Sequence, residues 1–182
     1  MLPVADASTV VLVEGDSDRI AVETAAVIRG RVLDAEGVAV APVGGAHAIG
    51  RFLTRSGLLD RPVRLAGLCD LAEAEVFRRG LATASGAEHF GVFVCVDDLE
   101  DELIRAVGAT GVEAVFGSQG DLGSFRSLQR QPAWRGQEVE AQARRYLGAG
   151  AGRKARYARL LVEAAAGRGA LPRPLDALLT AV

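Results

Sequence analysis

The chain has 182 residues, a mass of 19.0 kDa, 49% hydrophobic residues and a formal net charge of -2, which suits one real core but gives no global field that would announce nucleic acid or a membrane surface. No apolar run is long enough to span a bilayer, no basic and then apolar leader opens the sequence, and Cys69 and Cys95 lack both CxxC spacing and the companions of a disulfide framework. The expectation is a soluble, cytoplasmic α/β protein with reduced thiols.

In chain order, Thr9 to Glu14 reads as a short strand buried on both faces, rich in β-branched residues and ending in a carboxylate. Gly15 allows a tight turn, Asp16 or Ser17 can cap the next helix, and Asp18 follows Glu14 by four positions. That helix is expected from about Ser17 to Arg31, with Ile20, Val22, Ala25, Ala26 and Val27 on its apolar side. A second strand, Val38 to Val43, ends in Gly44-Gly45, and a helix from about Ala46 to Ser56 follows it. The glycine pair could cradle a phosphate with free amides or form a plain turn.

Strand three, Val63 to Cys69, stops at Asp70, and a helix from Ala72 to about Thr83 comes next. Strand four, Phe90 to Val96, precedes the acidic run Asp97, Asp98, Glu100, Asp101 and Glu102 at the start of a helix with Leu99, Leu103, Ile104 and Val107 as its stripe. From Gly108 the texture becomes helical without further strands: a loop at Gly117 to Gly123, then helices near Ser124 to Gln131, Gln137 to Tyr146, Arg153 to Ala166 and Leu175 to Val182, with Gly148 to Gly152 as a connector.

Alternating strands and helices imply a parallel sheet, and ligands of such sheets sit beyond the strands' carboxyl ends. Strands one, three and four all end in acids there. Clustered carboxylates repel one another unless a hard cation neutralises them, and carboxylate oxygen suits Mg²⁺ or Mn²⁺. Each acid alone could instead be a helix cap, and most of the run from Asp97 to Glu102 could be a solvated helix start. His47 and His89 are isolated in sequence and offer no zinc set. Asp70 in an acidic pocket would also suit a receiver-like phosphoacceptor, although no lysine ends a fifth strand.

Val13-Glu14-Gly15 with Asp18, followed by Asp70 at the end of a later strand, resembles the Toprim domain of topoisomerases, primases and several nucleases. The sequence is most similar to the Toprim region of the overcoming-lysogenization-defect (OLD) family endonucleases. Three more stretches carry that resemblance: VAVAPVGGAHAIGRFL, Asp98-Leu99-Glu100, and Gly152-Arg153-Lys154-Ala155-Arg156-Tyr157-Ala158. It implies a Rossmann-like parallel sheet of about four strands flanked by helices, with a Toprim core over residues 1–108. A helical C-terminal region over 109–182 would complete the site. It further implies a two-metal nuclease in which Glu14, Asp18, Asp70 and Glu100 bind Mg²⁺ or Mn²⁺, Glu102 is a secondary ligand, and Lys154 is the catalytic lysine beside Glu14.

One position departs from the family pattern. The Asp-x-Asp motif reads Asp70-Leu71-Ala72, so its second acid is missing, and Glu73 is the nearest substitute. There is no P-loop GxxxxGK[ST] either, so any ATPase is expected on a separate chain.

Between Arg126 and Arg159 nine basic residues face two acids, Glu138 and Glu140, with Trp134, Tyr146 and Tyr157 among them. This predicts a basic patch in which Arg126, Arg130, Arg135, Arg153 and Arg156 grip nucleic-acid phosphates, DNA rather than RNA, while the aromatics stack on bases. Packing of the aromatics inward is the competing reading. At the level of function, a metal-dependent nuclease competes with a non-catalytic Toprim module that binds nucleic acid or a separate ATPase, which Ala72 would favour. Ribonuclease M5-like proteins keep RNA open as a substrate.

Overall fold

The computed structural model describes residues 2–150 and 152–182. Four strands, β1 (Thr9–Val13), β2 (Val38–Pro42), β3 (Arg64–Asp70) and β4 (Glu88–Cys95), form one parallel sheet in the order β2-β1-β3-β4. β1 lies in the interior of the sheet, with Thr9 level with both Val38 and Arg64, and all five of its residues are buried. That accounts for its unbroken run of apolar and β-branched residues.

Among the described residues eight α-helices flank the sheet: α1 (Asp16–Ile28), α2 (Ile49–Arg55), α3 (Ala74–Ala82), α4 (Leu99–Ser118), α5 (Leu122–Gln129), α6 (Val139–Gly148), α7 (Arg153–Ala166) and α8 (Arg173–Ala181). Alternate strand residues face opposite layers. Val10, Leu12, Ala39, Leu65 and Cys69 pack under α2 and α3. Val11, Val13, Val40, Ala66 and Leu68 pack under α1, α4, α6, α7 and α8, and residues on both sides of Gly108 contribute to that layer. Among the described residues no helix is long and apolar enough to cross a membrane.

Several boundaries differ from the sequence reading. α1 stops at Ile28, and Val27, expected inside, is exposed at its C-terminal end. β3 includes Asp70, and a 3-10 turn over Leu71–Glu73 precedes α3, so Ala72 and Glu73 lie outside the α-helix. β4 begins two residues early. At Gly108 the change of texture is a break within α4: its φ of 70° lies in the left-handed region that glycine tolerates, and the helix resumes beyond it to Ser118. The connector Gly148 to Gly152 includes Ala151, which lies outside the described residues.

Candidate active site

Glu14 emerges from β1 where three strand ends meet. Its side chain Oε1 accepts the Asp70 amide at 3.0 Å, tying the end of β1 to the end of β3. Its backbone carbonyl accepts the amides of Gly44 and Gly45 at 3.1 and 2.9 Å, tying in the turn after β2. Both glycines have positive φ, which the turn requires. Because their amides are committed to Glu14, the pair is a turn and not a phosphate cradle. Asp18, in the first turn of α1, accepts the Gly15 amide at 2.9 Å and so faces back toward Glu14.

The opposite wall comes from the start of α4. Asp98 caps this helix, its Oδ1 accepting the Asp101 amide at 2.7 Å, while Oδ2 takes the Arg144 guanidinium at 3.0 Å. Two positions on, Glu100 points inward and is only 5% exposed. Its Oε2 pairs with Lys154 Nζ of α7 at 3.2 Å, and its Oε1 is buried with no hydrogen-bond partner. Glu14, Asp18, Asp70, Asp98, Glu100 and Lys154 thus line one cavity of about 230 Å³ at the carboxyl edge of the sheet.

Five carboxylates against the Lys154 ammonium and the Arg144 guanidinium leave negative charge uncompensated. Burial, and after it the nearby Glu100 carboxylate, raises the pKa of Asp18 to about 7, with the Gly15 amide and Lys154 opposing the rise. Burial also raises Asp70 to about 7, followed by the carboxylates of Glu14, Asp98, Asp18 and Glu100. Burial works against the charge of Lys154, but Glu100 and then Asp98 and Asp18 hold it above the usual lysine range.

The donor set fits a hard divalent cation: oxygen ligands only, mutually repelling, with an orphaned carboxylate oxygen among them. Among the described residues, however, no three His, Cys, Asp or Glu side chains already converge as a metal-binding group. Lys154 and Arg144 hold two of the five carboxylates in ion pairs. Neither cysteine lines this cavity; burial pushes the Cys69 thiol up to about 12 and raises Cys95 as well.

Two residues expected at the site are placed elsewhere. Glu73 lies 3.9 Å from His47 and does not line the cavity, because the 3-10 turn after Asp70 carries it away. Glu102 accepts the Val96 amide at 3.0 Å and pairs with Arg105 at 3.1 Å, which fastens the end of β4 to α4. Asp98, quoted in the stretch Asp98-Leu99-Glu100 but not named as a ligand, also takes a place in the cavity. Its signal was its position two residues before Glu100, at the cap of a helix leaving a strand.

The arginine-rich helices are held largely by their own contacts. Arg126 pairs with Glu113 at 2.6 Å, and Arg156 pairs with Asp121 at 3.1 Å. Arg153 donates to the Tyr146 carbonyl at 2.7 Å and stacks over the Tyr146 ring at 4.0 Å. Arg130 and Arg135 are exposed, bonded only to Ser127 and to the Arg130 carbonyl. The expectation that the tyrosines stack on bases is overturned: Tyr146 and Tyr157 are 3% and 0% exposed, Tyr157 packing edge-on against Phe116 and Tyr146 edge-on against Phe125 and tilted against Phe116. Trp134 is partly buried against the same core.

Residues 7–70 match the family model described as the TOPRIM domain of overcoming lysogenization defect protein-like proteins. The match takes in Glu14, Asp18 and Asp70 and ends before Asp98, Glu100 and Lys154. Over nearly its whole length the chain is similar in fold to two solved structures. One is the C-terminal region of the Burkholderia pseudomallei OLD protein (21% identity, 96% of each chain, TM-score 0.60). The other is the C-terminal region of the Xanthomonas campestris pv. campestris OLD protein (23% identity, 96% of this chain and 93% of that one, TM-score 0.61). No curated protein matches the sequence.

Proposed function

We propose that this chain, whose residues 7–70 match an OLD-like Toprim domain, is a nucleic-acid-related nuclease, and more finely a metal-dependent endonuclease acting on DNA in the cytoplasm. The observation that carries this reading is the buried, unpartnered Oε1 of Glu100, a residue that lines one cavity together with four further carboxylates and Lys154. An orphaned buried carboxylate oxygen costs on the order of 1–3 kcal/mol, and a cation removes that cost.

Glu14, Asp18 and Asp70 on one wall and Asp98 and Glu100 on the other are the residues that would hold two Mg²⁺ or Mn²⁺ ions. When bound, such ions supply an activated water and neutralise charge on the phosphoryl oxygens. Hydrolysis adds the water oxygen to phosphorus, breaks one P–O ester bond and leaves a phosphate on one product and a hydroxyl on the other. Lys154 offsets charge developing on phosphate, as a compact ammonium poised by Glu100. Arg144 orients Asp98, and Asp98 supplies the carboxylate that Ala72 does not. The Toprim core is assigned to residues 1–108, with residues 109–182 contributing Lys154 and Arg144 to the site.

The test is cleavage of supercoiled plasmid and of single-stranded DNA by the purified chain in Mg²⁺, Mn²⁺ or EDTA, beside Glu14→Gln and Lys154→Ala. Metal-dependent cutting lost in both variants supports the enzyme. A folded chain that binds DNA yet cuts with neither metal points to the second reading, a non-catalytic module working with nucleic acid or a separate ATPase. Ala72 and the absence of a converged ligand group among the described residues favour that alternative.

A further inference from the structure

The Gly44-Gly45 turn separates two cavities. On one side is the acidic cavity entered by Glu14, and on the other a larger one of about 510 Å³, lined by Val43, Gly44, Ala48, Arg51, Phe52 and Arg55. Gly44 belongs to both surroundings: it lines the second cavity, and its amide is 3.1 Å from the Glu14 carbonyl oxygen. The second cavity therefore begins at the turn after β2 that is bonded to Glu14 and extends along α2.

Arg51 and Arg55 are four residues apart on α2, and both are exposed. Neither makes a hydrogen bond, ion pair or ring contact with any other described residue, and no carboxylate lines their cavity. In this they differ from Arg126, Arg144, Arg153 and Arg156, which the fold itself engages. The broad groove beside α6 offers no such excess, since its lining acids and bases are equal in number. Two uncompensated guanidiniums on a polar cavity are suited to bidentate capture of phosphate oxygens.

We propose that Arg51 and Arg55 form a phosphate subsite that holds the backbone of the nucleic-acid strand flanking the scissile bond. The inference rests on the reading of the acidic cavity as the place where a phosphodiester is cut. In it the turn after β2 fixes the spacing: Gly44 and Gly45 bind Glu14, and the helix that follows carries the guanidiniums past it. Strand binding is thus assigned to the side of the sheet bearing α2, and metal binding to the acids next to it.

The experiment is fluorescence anisotropy of a short labelled DNA strand and its duplex with the purified chain in EDTA, over a series of salt concentrations, with cleavage in Mn²⁺ measured on the same preparations. Arg51→Gln/Arg55→Gln is expected to weaken binding on the order of tenfold at low salt. It should also flatten the log K against log salt slope by about 1.4 on single strands and about 1.8 on duplex. Its melting temperature should stay that of the parent, since neither side chain has an internal partner. Arg51→Lys/Arg55→Lys should restore the slope.

Arg173→Gln, which removes an equally unpartnered exposed arginine from α8, should change neither quantity. The subsite is overturned by a double variant that binds like the parent, by an equal loss in Arg173→Gln, or by a parent chain that binds neither DNA. A parent that cuts with a double variant that binds normally refutes the subsite and keeps the nuclease. A parent that binds through these arginines and never cuts refutes the nuclease and keeps the subsite.

Discussion

The acidic edge and the arginine-rich helices are both dense in charge along the sequence, and in the fold they behave in opposite ways. At the edge, Glu14, Asp18, Asp70, Asp98 and Glu100 have between them the Lys154 ammonium on Glu100 and the Arg144 guanidinium on Asp98, and one buried carboxylate oxygen has no partner at all. In the helices, Arg126 and Arg156 have carboxylate partners, Arg153 a carbonyl and a ring, and the aromatics between them close a core. Charge that the fold satisfies is structural. Charge that the fold gathers and leaves unsatisfied calls for a ligand.

The most severe way to probe the helical side of this contrast is Phe116→Ala. Phe116 is fully buried and lies within 5.1 Å, centroid to centroid, of Phe125, Tyr146 and Tyr157. Its truncation should destabilise the chain by about 3–5 kcal/mol, read as a fall in the denaturant midpoint. A loss below about 1 kcal/mol would mean the aromatics do not form a working core and are available for other contacts.

On the acidic side, Glu14→Gln keeps an oxygen that can accept the Asp70 amide but removes the charge. Cleavage should fall by on the order of 100-fold or more while thermal stability in EDTA stays level or rises, because a repelling carboxylate is gone. Undiminished cutting would detach the chemistry from this edge. Between the two regions stands Arg153, counted as a phosphate contact in the sequence and found over the Tyr146 ring at 4.0 Å. Arg153→Ala should cost about 1–2 kcal/mol of stability through the lost carbonyl bond and ring contact. A large fall in DNA affinity without loss of stability would return Arg153 to the nucleic-acid surface.

These differences follow from which signals are local. β1 was legible because a strand buried on both faces is continuously apolar, and Glu14, Asp18 and Asp70 were legible because strand ends carry them to one edge. Lys154 was reachable only through the resemblance of its motif, since its contact with Glu100 spans 54 positions. Glu73 was misplaced by a single 3-10 turn, a choice of backbone hydrogen bonding that composition does not record. The partners of Arg126, Arg153 and Arg156 depend on how helices pack, so a run of positive charge could not reveal that it was already engaged. For the same reason, the lack of partners at Arg51 and Arg55 became visible only in the fold.

The smallest expected effect tests whether the acids repel as their surroundings imply. Asp18 and Asp70 are raised to about 7 in the folded, metal-free chain, against 3.8 as ordinary carboxyls. Between these values the folded state holds protons that the unfolded state has released, so stability falls as pH rises. The contribution is complete below about pH 4 and lost above about pH 7. Asp70 is partly exposed and the two groups titrate together, so the full shifts overstate the energy, and each is expected to be worth on the order of 1 kcal/mol. In EDTA the melting temperature should therefore drop by roughly 2–4 °C per group between pH 5 and pH 8. Asp70→Asn should flatten that profile. Saturating Mn²⁺ should raise the melting temperature more at pH 8 than at pH 5, because protons compete with the metal for the same oxygens. A profile unchanged by Asp70→Asn would mean that Asp70 is ionised without strain, and the contrast between a charge-starved edge and charge-satisfied helices would lose its acidic half.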